Sequence, residues 1–402
     1  IVAGIPRSTH SYVHVVRQDP VRKGLLYAGT ENALYVSFDD GESWKPLQTN
    51  LPHAPVYWLV VQPRFNDLVV STYGRGFWVL DDVTPLQQLT PEVQAKDAHL
   101  FAPRDAWRFR SITAPASPTD DPADGENPPY GASINYWLKG TPQSVSVQIL
   151  DGAGQLVRTL AGPKQAGLNR VWWDLRSEPS REARLRTSPR WAPEVRVGPQ
   201  GWRAAPGIGR ISILQPPGTY TVKLIVDGRE QTQPLVVRKD PNSGGSEGAI
   251  VQQTALLVDV RTSLDDAVDM LNTIEVVRAQ LQSLGTVLSA DRSKADLKAA
   301  ADSLEAKFVG VEDGLHQLAV TGRGQDGVRW PDKLAEKIDY LAGGIASTDE
   351  APTTQAREAE KLFQGELVEH RARLDALLKT ELPAFNELLR RRNVQNVVTD
   401  QI

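Results

Sequence analysis

The chain has 402 residues, with 45 Lys and Arg against 49 Asp and Glu for a formal net charge of −4, six His and no Cys. This length suits roughly two to four domains with real cores, and the charge gives no electrostatic case for nucleic acid or acidic membranes. The lack of cysteine removes disulfide frameworks and thiolate metal sites, and no apolar run approaches the roughly 18 residues that span a bilayer.

From the start of the chain the pattern repeats. Residues 24–40, GLLYAGTENALYVSFDD, align without gaps on residues 66–82, NDLVVSTYGRGFWVLDD, an offset of about 42 residues that matches a four-stranded propeller blade. Tyr27 falls on Val69, Thr30 on Thr72, and Asp39 and Asp40 on Asp81 and Asp82. An apolar run precedes each copy, residues 13–16 before Pro20 and residues 58–61 before Pro63. Each copy therefore reads as strand, turn, strand, Gly turn and strand. The first copy runs into Ser37-Phe38-Asp39-Asp40-Gly41-Glu42-Ser43-Trp44. There an Asp closes a tight turn on its own amides, Gly takes a positive φ and Trp supplies apolar cover.

That S-x-D-x-G-x-x-W stretch resembles the Asp-box of sialidase-type and sortilin-type β-propellers. The resemblance implies that Ser37, Asp39, Gly41 and Trp44 form a structural box on an outer hairpin, away from any central pocket. Two blades cannot close a ring, which takes about four. Residues 1–90 are therefore expected to be the last two blades of an incomplete ring. The chain opens at Ile1 without a signal-peptide pattern, so the expected partner is a missing N-terminal propeller portion, from the same precursor or as a separate chain.

Residues 91–132 are expected to be a Pro-rich connector, with Pro103, Pro115, Pro118, Pro122, Pro128 and Pro129 and the anchors Trp107 and Phe109. Residues 133–240 then read as short strands: the alternation Ser144-Val145-Ser146-Val147-Gln148-Ile149-Leu150, a turn at residues 151–154, a strand at residues 169–175, and a hairpin over residues 217–237. The elements V-x-I-x-D-x-x-G-x-x-V-R, G-x-N-x-x-x-W-D and P-G-x-Y-x-V resemble the immunoglobulin-like domain of flagellar hook-capping proteins and of many exported bacterial enzymes. The resemblance implies a β-sandwich. An insertion at residues 177–210, with Arg181, Arg184, Arg186, Arg190, Arg196, Arg203 and Arg210 beside Trp191 and Trp202, reads as an interdomain clamp.

Residues 241–250, including Gly244-Gly245, have linker composition. Beyond them apolar residues recur at helical spacing from Ala255 to Leu284, then in residues 295–309, 331–341 and 353–378, and from Pro383. Faces of this kind bury each other, so residues 251–402 are expected to form an α-helical bundle whose Glu and Arg residues are solvated.

The whole order resembles large bacterial proteins with BNR (Asp-box) repeats, described as glycosyl-hydrolase or sortilin-like. The residues that carry it are STYGRGFWVLDD at 71–82, Ala351-Pro352-Thr353 and PAFNELL at 383–389. Tyr73 stands where that group carries His. The expected fold is thus multidomain: propeller blades, an immunoglobulin-like sandwich and a helical bundle.

The expected function is an exported binding and assembly protein, extracellular or periplasmic, with a protein, peptide or glycan ligand and room for oligomers. The alternative is a sialidase-like glycan or peptide hydrolase with its catalytic groups mainly in the missing blades. Tyr73 and Arg75, set among Gly74 and Gly76, are the catalytic candidates; the plainer reading is a tight turn with Arg75 paired to Asp81 or Asp82. His10 and His14, placed on one strand, lack a third ligand. No nucleotide loop, G-x-S-x-G or H-E-x-x-H occurs, so no cofactor or metal site is expected.

Overall fold

The computed structural model describes residues 3–110, 125 and 127–399. The chain divides into two compact units. One holds residues 1–176 with 217–241, and the other holds residues 177–216 with 242–402.

The first unit begins with two antiparallel sheets. Strands β1 (Val13–Gln18), β2 (Leu26–Thr30), β3 (Leu34–Ser37) and β4 (Lys45–Pro46) pair in that order. Strands β5 (Val56–Gln62), β6 (Asp67–Thr72) and β7 (Phe77–Leu80) form the other sheet. Alternation decides what lies between them. Val15, Tyr27 and Val36 of the first sheet share a buried cluster with Leu59, Val61, Leu68 and Val70 of the second.

The sequence repeat is also a backbone repeat. Gly24 and Asn66 are both left-handed, with φ of 79° and 53°, and so are Asp40 and Asp82, with φ of 58° and 56°. Gly, Asn and Asp are the residues that enter that region at least cost.

After Asp82 come helices α1 (Thr84–Gln88), begun by a proline, and α2 (Pro91–Ala95), whose first turn is capped by Thr90. The residues that follow are not a bare connector. Strand β8 (Ala98–Leu100) pairs with β10 (Ala132–Leu138), and β9 (Ala106–Arg108) runs parallel to the last strand of the unit. The prolines at 115, 118 and 122 lie outside the described residues.

Strands β11 (Val145–Leu150), β12 (Leu156–Ala161) and β13 (Gly167–Trp173) follow. Then β14 (Arg184–Leu185) and β15 (Arg203–Ala204) lie in the other unit, and β16 (Gly218–Val226) and β17 (Arg229–Lys239) return to this one. The sheets are β13-β10-β8 and β12-β11-β16-β17-β9. Trp173 and Tyr220, one from each, meet edge to face at 5.1 Å. The motif around Asn169 has a local cause: its side-chain amide donates to the carbonyls of Gln165 (2.7 Å) and Gly167 (3.1 Å) and closes the turn into β13.

The second unit is built on α3 (Glu247–Ser289), capped by Ser246, and on α4 (Ala295–Leu315), α5 (Asp326–Arg329), α6 (Leu334–Ala346), α7 (Thr354–Ala376) and α8 (Leu382–Arg391). Val260, Leu264 and Ile274 of α3 pack with Phe308 of α4, Ile338 of α6 and Leu374 of α7. A Cβ on Gly314 would lie 2.1 Å from the ring of His370, so glycine is what lets α4 and α7 approach. Between α7 and α8, residues 377–381 form a π turn just before Pro383, which has no N–H to continue the ladder.

Two expectations change here. Ala183, Leu185, Ala205, Ile211 and Ile213 are buried in the helical core, so the Arg-rich insertion belongs to this unit and not to the strands around it. The Gly244-Gly245 stretch is also packed: Ser243 donates to Asp349 at 2.7 Å, and a Cβ on Gly245 would fall 2.1 Å from the Asp349 carbonyl.

Candidate binding surface

The Ser37–Trp44 turn spends its polar groups on itself. Ser37 Oγ donates to Asp39 Oδ1 (2.7 Å) and accepts the Gly41 N–H (2.9 Å), while Asp39 accepts both the N–H and the hydroxyl of Ser43. Gly41 has φ of 89°. Trp44 is buried with Ile5, Ala28, Ala33 and Tyr35, and its backbone N–H reaches the Ala3 carbonyl at 2.8 Å. A group of this kind holds a loop, and its donor without a partner, Trp44 Nε1, is buried and not open to a ligand.

The bonds from Ser43 and Ser37 hold the Asp39 carboxyl down to about 2. An unfolded aspartate titrates near ~3.9. The lowered value means that the turn's contribution is complete above that range and is lost as pH falls through about 2. We expect Asp39→Asn to melt lower than the parent at pH 5 and the gap to close at the most acid pH, as read by acid-dependent thermal melts. Equal melts at every pH would uncouple the turn from folding.

Tyr73 and Arg75 lie in the turn between β6 and β7, where Gly74 and Gly76 have φ of 75° and 71° and Thr72 N–H bonds to Gly76 O at 3.1 Å. Both side chains are exposed. Arg75 does not pair with Asp81 or Asp82. Asp82 is buried and accepts from Thr84, Ser133 and Asn135, and the Asp81 and Asp82 carbonyls take the two ends of the Arg170 guanidinium at 2.9 and 2.8 Å. Arg75 instead offers its own carbonyl to Trp78 Nε1 (2.9 Å).

Tyr73 belongs to a row of rings. Its ring lies 5.7 Å from Tyr57, Tyr57 lies 4.3 Å from His14, and His14 lies 5.0 Å from Tyr12. His14 Nε2 and Glu31 Oε2 are 2.7 Å apart. The bonds from His14 and Tyr12 hold the Glu31 carboxyl below its ordinary range. His10 stands before β1 and bonds Thr9, so the structure does not bring the two histidines together as ligands.

The register of the second sheet sets out its far face. Trp58, Ser71 and Phe77 are directly opposite one another, as are Val60, Val69 and Val79. Trp58 is 58 % exposed, Val60 48 %, Phe77 80 % and Val79 53 %, while the residues between them turn to the buried cluster. A two-faced apolar sheet is the pattern of a layer covered on both sides. The Arg17 guanidinium, 4.1 Å from the Trp58 ring, covers one corner. Sequence alternation alone could have found this face, because apolar residues occupy both phases of β5 and β7.

No family model matches the chain, and no curated protein matches it. Among solved structures it is similar to the extracellular domain of a putative hybrid two-component system from B. thetaiotaomicron, with 12 % identity and a TM-score of 0.15 over 57 % of this chain. The chain spans 25 % of that chain's length. A likeness of this size carries no functional argument. Among the described residues no helix is long and apolar enough to cross a membrane, and no group of three or more His, Asp or Glu is placed to hold a metal.

Proposed function

We propose that the chain is the C-terminal portion of an exported β-propeller binding and assembly protein, with β1–β4 and β5–β7 as its last two blades. The open face of Trp58, Val60, Phe77 and Val79 carries this reading, because face-to-face stacking of sheets is how blades bury apolar area. The Asp-box resemblance of Ser37 to Trp44 supports it, and so does the shared left-handed backbone of the two repeats. The following sheets, of immunoglobulin-like sequence pattern, and the helical region then brace the assembly. Export, to the periplasm or beyond, follows from the family resemblance.

Hydrolysis centred on Tyr73 draws no support from its surroundings. Its ring neighbour is Tyr57, and Glu31, the carboxylate of that aromatic row, is engaged by His14 and Tyr12.

The face is tested by replacing Phe77 and Val79 together with Ser. In the parent chain we expect concentration-dependent self-association, relieved by the polypeptide that precedes it in the precursor. The double variant should stay monomeric and lose that partner. A parent chain that is monomeric at all concentrations, with β5 and β7 fully protected from hydrogen exchange, would sink the proposal.

A further inference from the structure

The Arg-rich insertion borders a half-open cavity of about 450 Å³ against α3 and α4, within the second unit. Its lining includes Arg190, Arg203, Arg278, Glu275, Glu305 and Glu312. Charges of both signs meet there, so the question is which of them are already satisfied.

The carboxylates are largely spent. Glu275 accepts the Thr187 hydroxyl (2.8 Å), the N–H groups of Thr187 (2.8 Å) and Arg186, and Arg278 Nη1 (2.8 Å). Glu312 accepts the same Nη1 through Oε2 at 2.6 Å while its buried Oε1 has no partner, and Glu305 accepts Gln282 Nε2 at 2.6 Å. The guanidinium groups are not spent. Arg203 uses Nε on the Thr187 carbonyl (3.0 Å) and has no ion pair, although it is partly buried. Arg190, at the rim, faces the Trp191 ring at 5.3 Å and also has no ion pair. Arg278 Nη2 has only Glu305, at 3.6 Å.

A guanidinium partly withdrawn from water without a direct ion pair, as Arg203 is, is costly, and an oxyanion placed against its planar fork repays that cost with two parallel charge-assisted bonds, while the exposed Arg190 adds its charge from the rim. The volume falls in the range of small-molecule sites, roughly 300 to 1,000 Å³. We propose that this cavity is an oxyanion site that takes a small molecule by a carboxylate or phosphate group held between Arg203 and Arg190. The Glu275–Arg278–Glu312 cluster forms its fixed floor. The site stands apart from the sheet surface above and does not depend on the reading given to it.

The test is calorimetric titration of the full chain with inorganic phosphate and, separately, with succinate, at constant ionic strength. We expect one saturable site for at least one of them, and the two arms tell phosphate from carboxylate. Charge-assisted bonds are worth roughly 1.5 to 3 kcal/mol, so Arg203→Gln should weaken binding by about tenfold or more. Arg190→Gln should weaken it less, and Arg181→Gln, which removes an exposed cation paired with Asp269, should leave it unchanged. If Arg203→Gln does not fold, the rim variant Arg190→Gln against Arg181→Gln decides. The proposal is overturned if neither anion saturates by about 10 mM, a range weaker than ~4 kcal/mol of binding. It is also overturned if the folded cavity variants bind as tightly as the parent.

Discussion

Asp82→Ala should lower the stability of the first unit by about 3 to 5 kcal/mol. The Asp82 side chain is fully buried and accepts hydrogen bonds from Ser133 Oγ, Asn135 Nδ2 (3.1 Å), Thr84 Oγ1 and Thr84 N–H (3.3 Å), with the Arg104 guanidinium 4.0 Å away. Truncation leaves several buried donors without an acceptor, and each costs roughly 1 to 3 kcal/mol. Its left-handed φ of 56° adds strain for alanine. Asp82→Asn keeps the backbone preference and one acceptor, so it should lose only about half as much.

The repeat supplies an internal control. Asp40 holds the same backbone conformation at an exposed position, so Asp40→Ala should cost only the conformational part, about 1 to 2 kcal/mol. Urea melts of the three variants check the order. An Asp82→Ala loss no larger than that of Asp40→Ala would mean that the buried network adds nothing.

These two aspartates also show what the sequence can disclose. Their equivalence is legible because a gapless repeat aligns them. Their difference is not, because the partners of Asp82 lie 51 and 53 residues further on and nothing local marks Ser133 or Asn135. The alternation of residues 144–150 identifies β11, with Val145, Val147 and Ile149 buried in turn, because a strand's period of two is written in neighbouring residues. The same holds for α7 (Thr354–Ala376), whose spacing marks both ends to within two residues, whereas α3 (Glu247–Ser289) starts eight residues before Ala255, inside the expected linker, and runs five beyond Leu284.

The insertion was illegible for the opposite reason. Its bonds to α3 join residues 83 to 91 apart, and its own residues carry no period. Composition reads as an interdomain clamp, whereas Ala183 and Leu185 belong to the core of the helical unit. The charged residues of the helical region follow the same logic: Glu275, Arg278 and Glu312 are buried because the insertion covers them, a fact visible only once the two segments are placed together. Tyr73 and Arg75 stand two residues apart in sequence and carry the right chemical types. In the turn, Tyr73 joins the tyrosine row while Arg75 makes no ion pair, so proximity along the chain gave no shared site.

Removing the floor of the cavity should have an effect of similar size. Glu275→Ala withdraws the acceptor for the Arg186 and Thr187 N–H groups and the Thr187 hydroxyl, and it takes one carboxylate from Arg278, which is 8 % exposed. Breaking a buried pair from one side costs about 3 to 5 kcal/mol. One compensation is available. Burial, with Glu275 beside it, pushes the Glu312 carboxyl well above the usual range. In the parent the folded state therefore keeps a proton that the unfolded state has released, and stability falls as pH rises from the ordinary carboxylate range through the raised value. Without Glu275, Glu312 ionises more readily and becomes the counter-ion of Arg278. Glu275→Ala should then lose most stability at low pH and less near neutrality. Glu312→Gln should be close to neutral at pH 5 and should abolish the downward slope above it. Chemical denaturation from pH 4 to 8 reads both variants. A Glu275→Ala deficit that does not shrink toward neutral pH would show that Glu312 cannot take over, and that the floor is held by the backbone bonds of Thr187 and Arg186 alone.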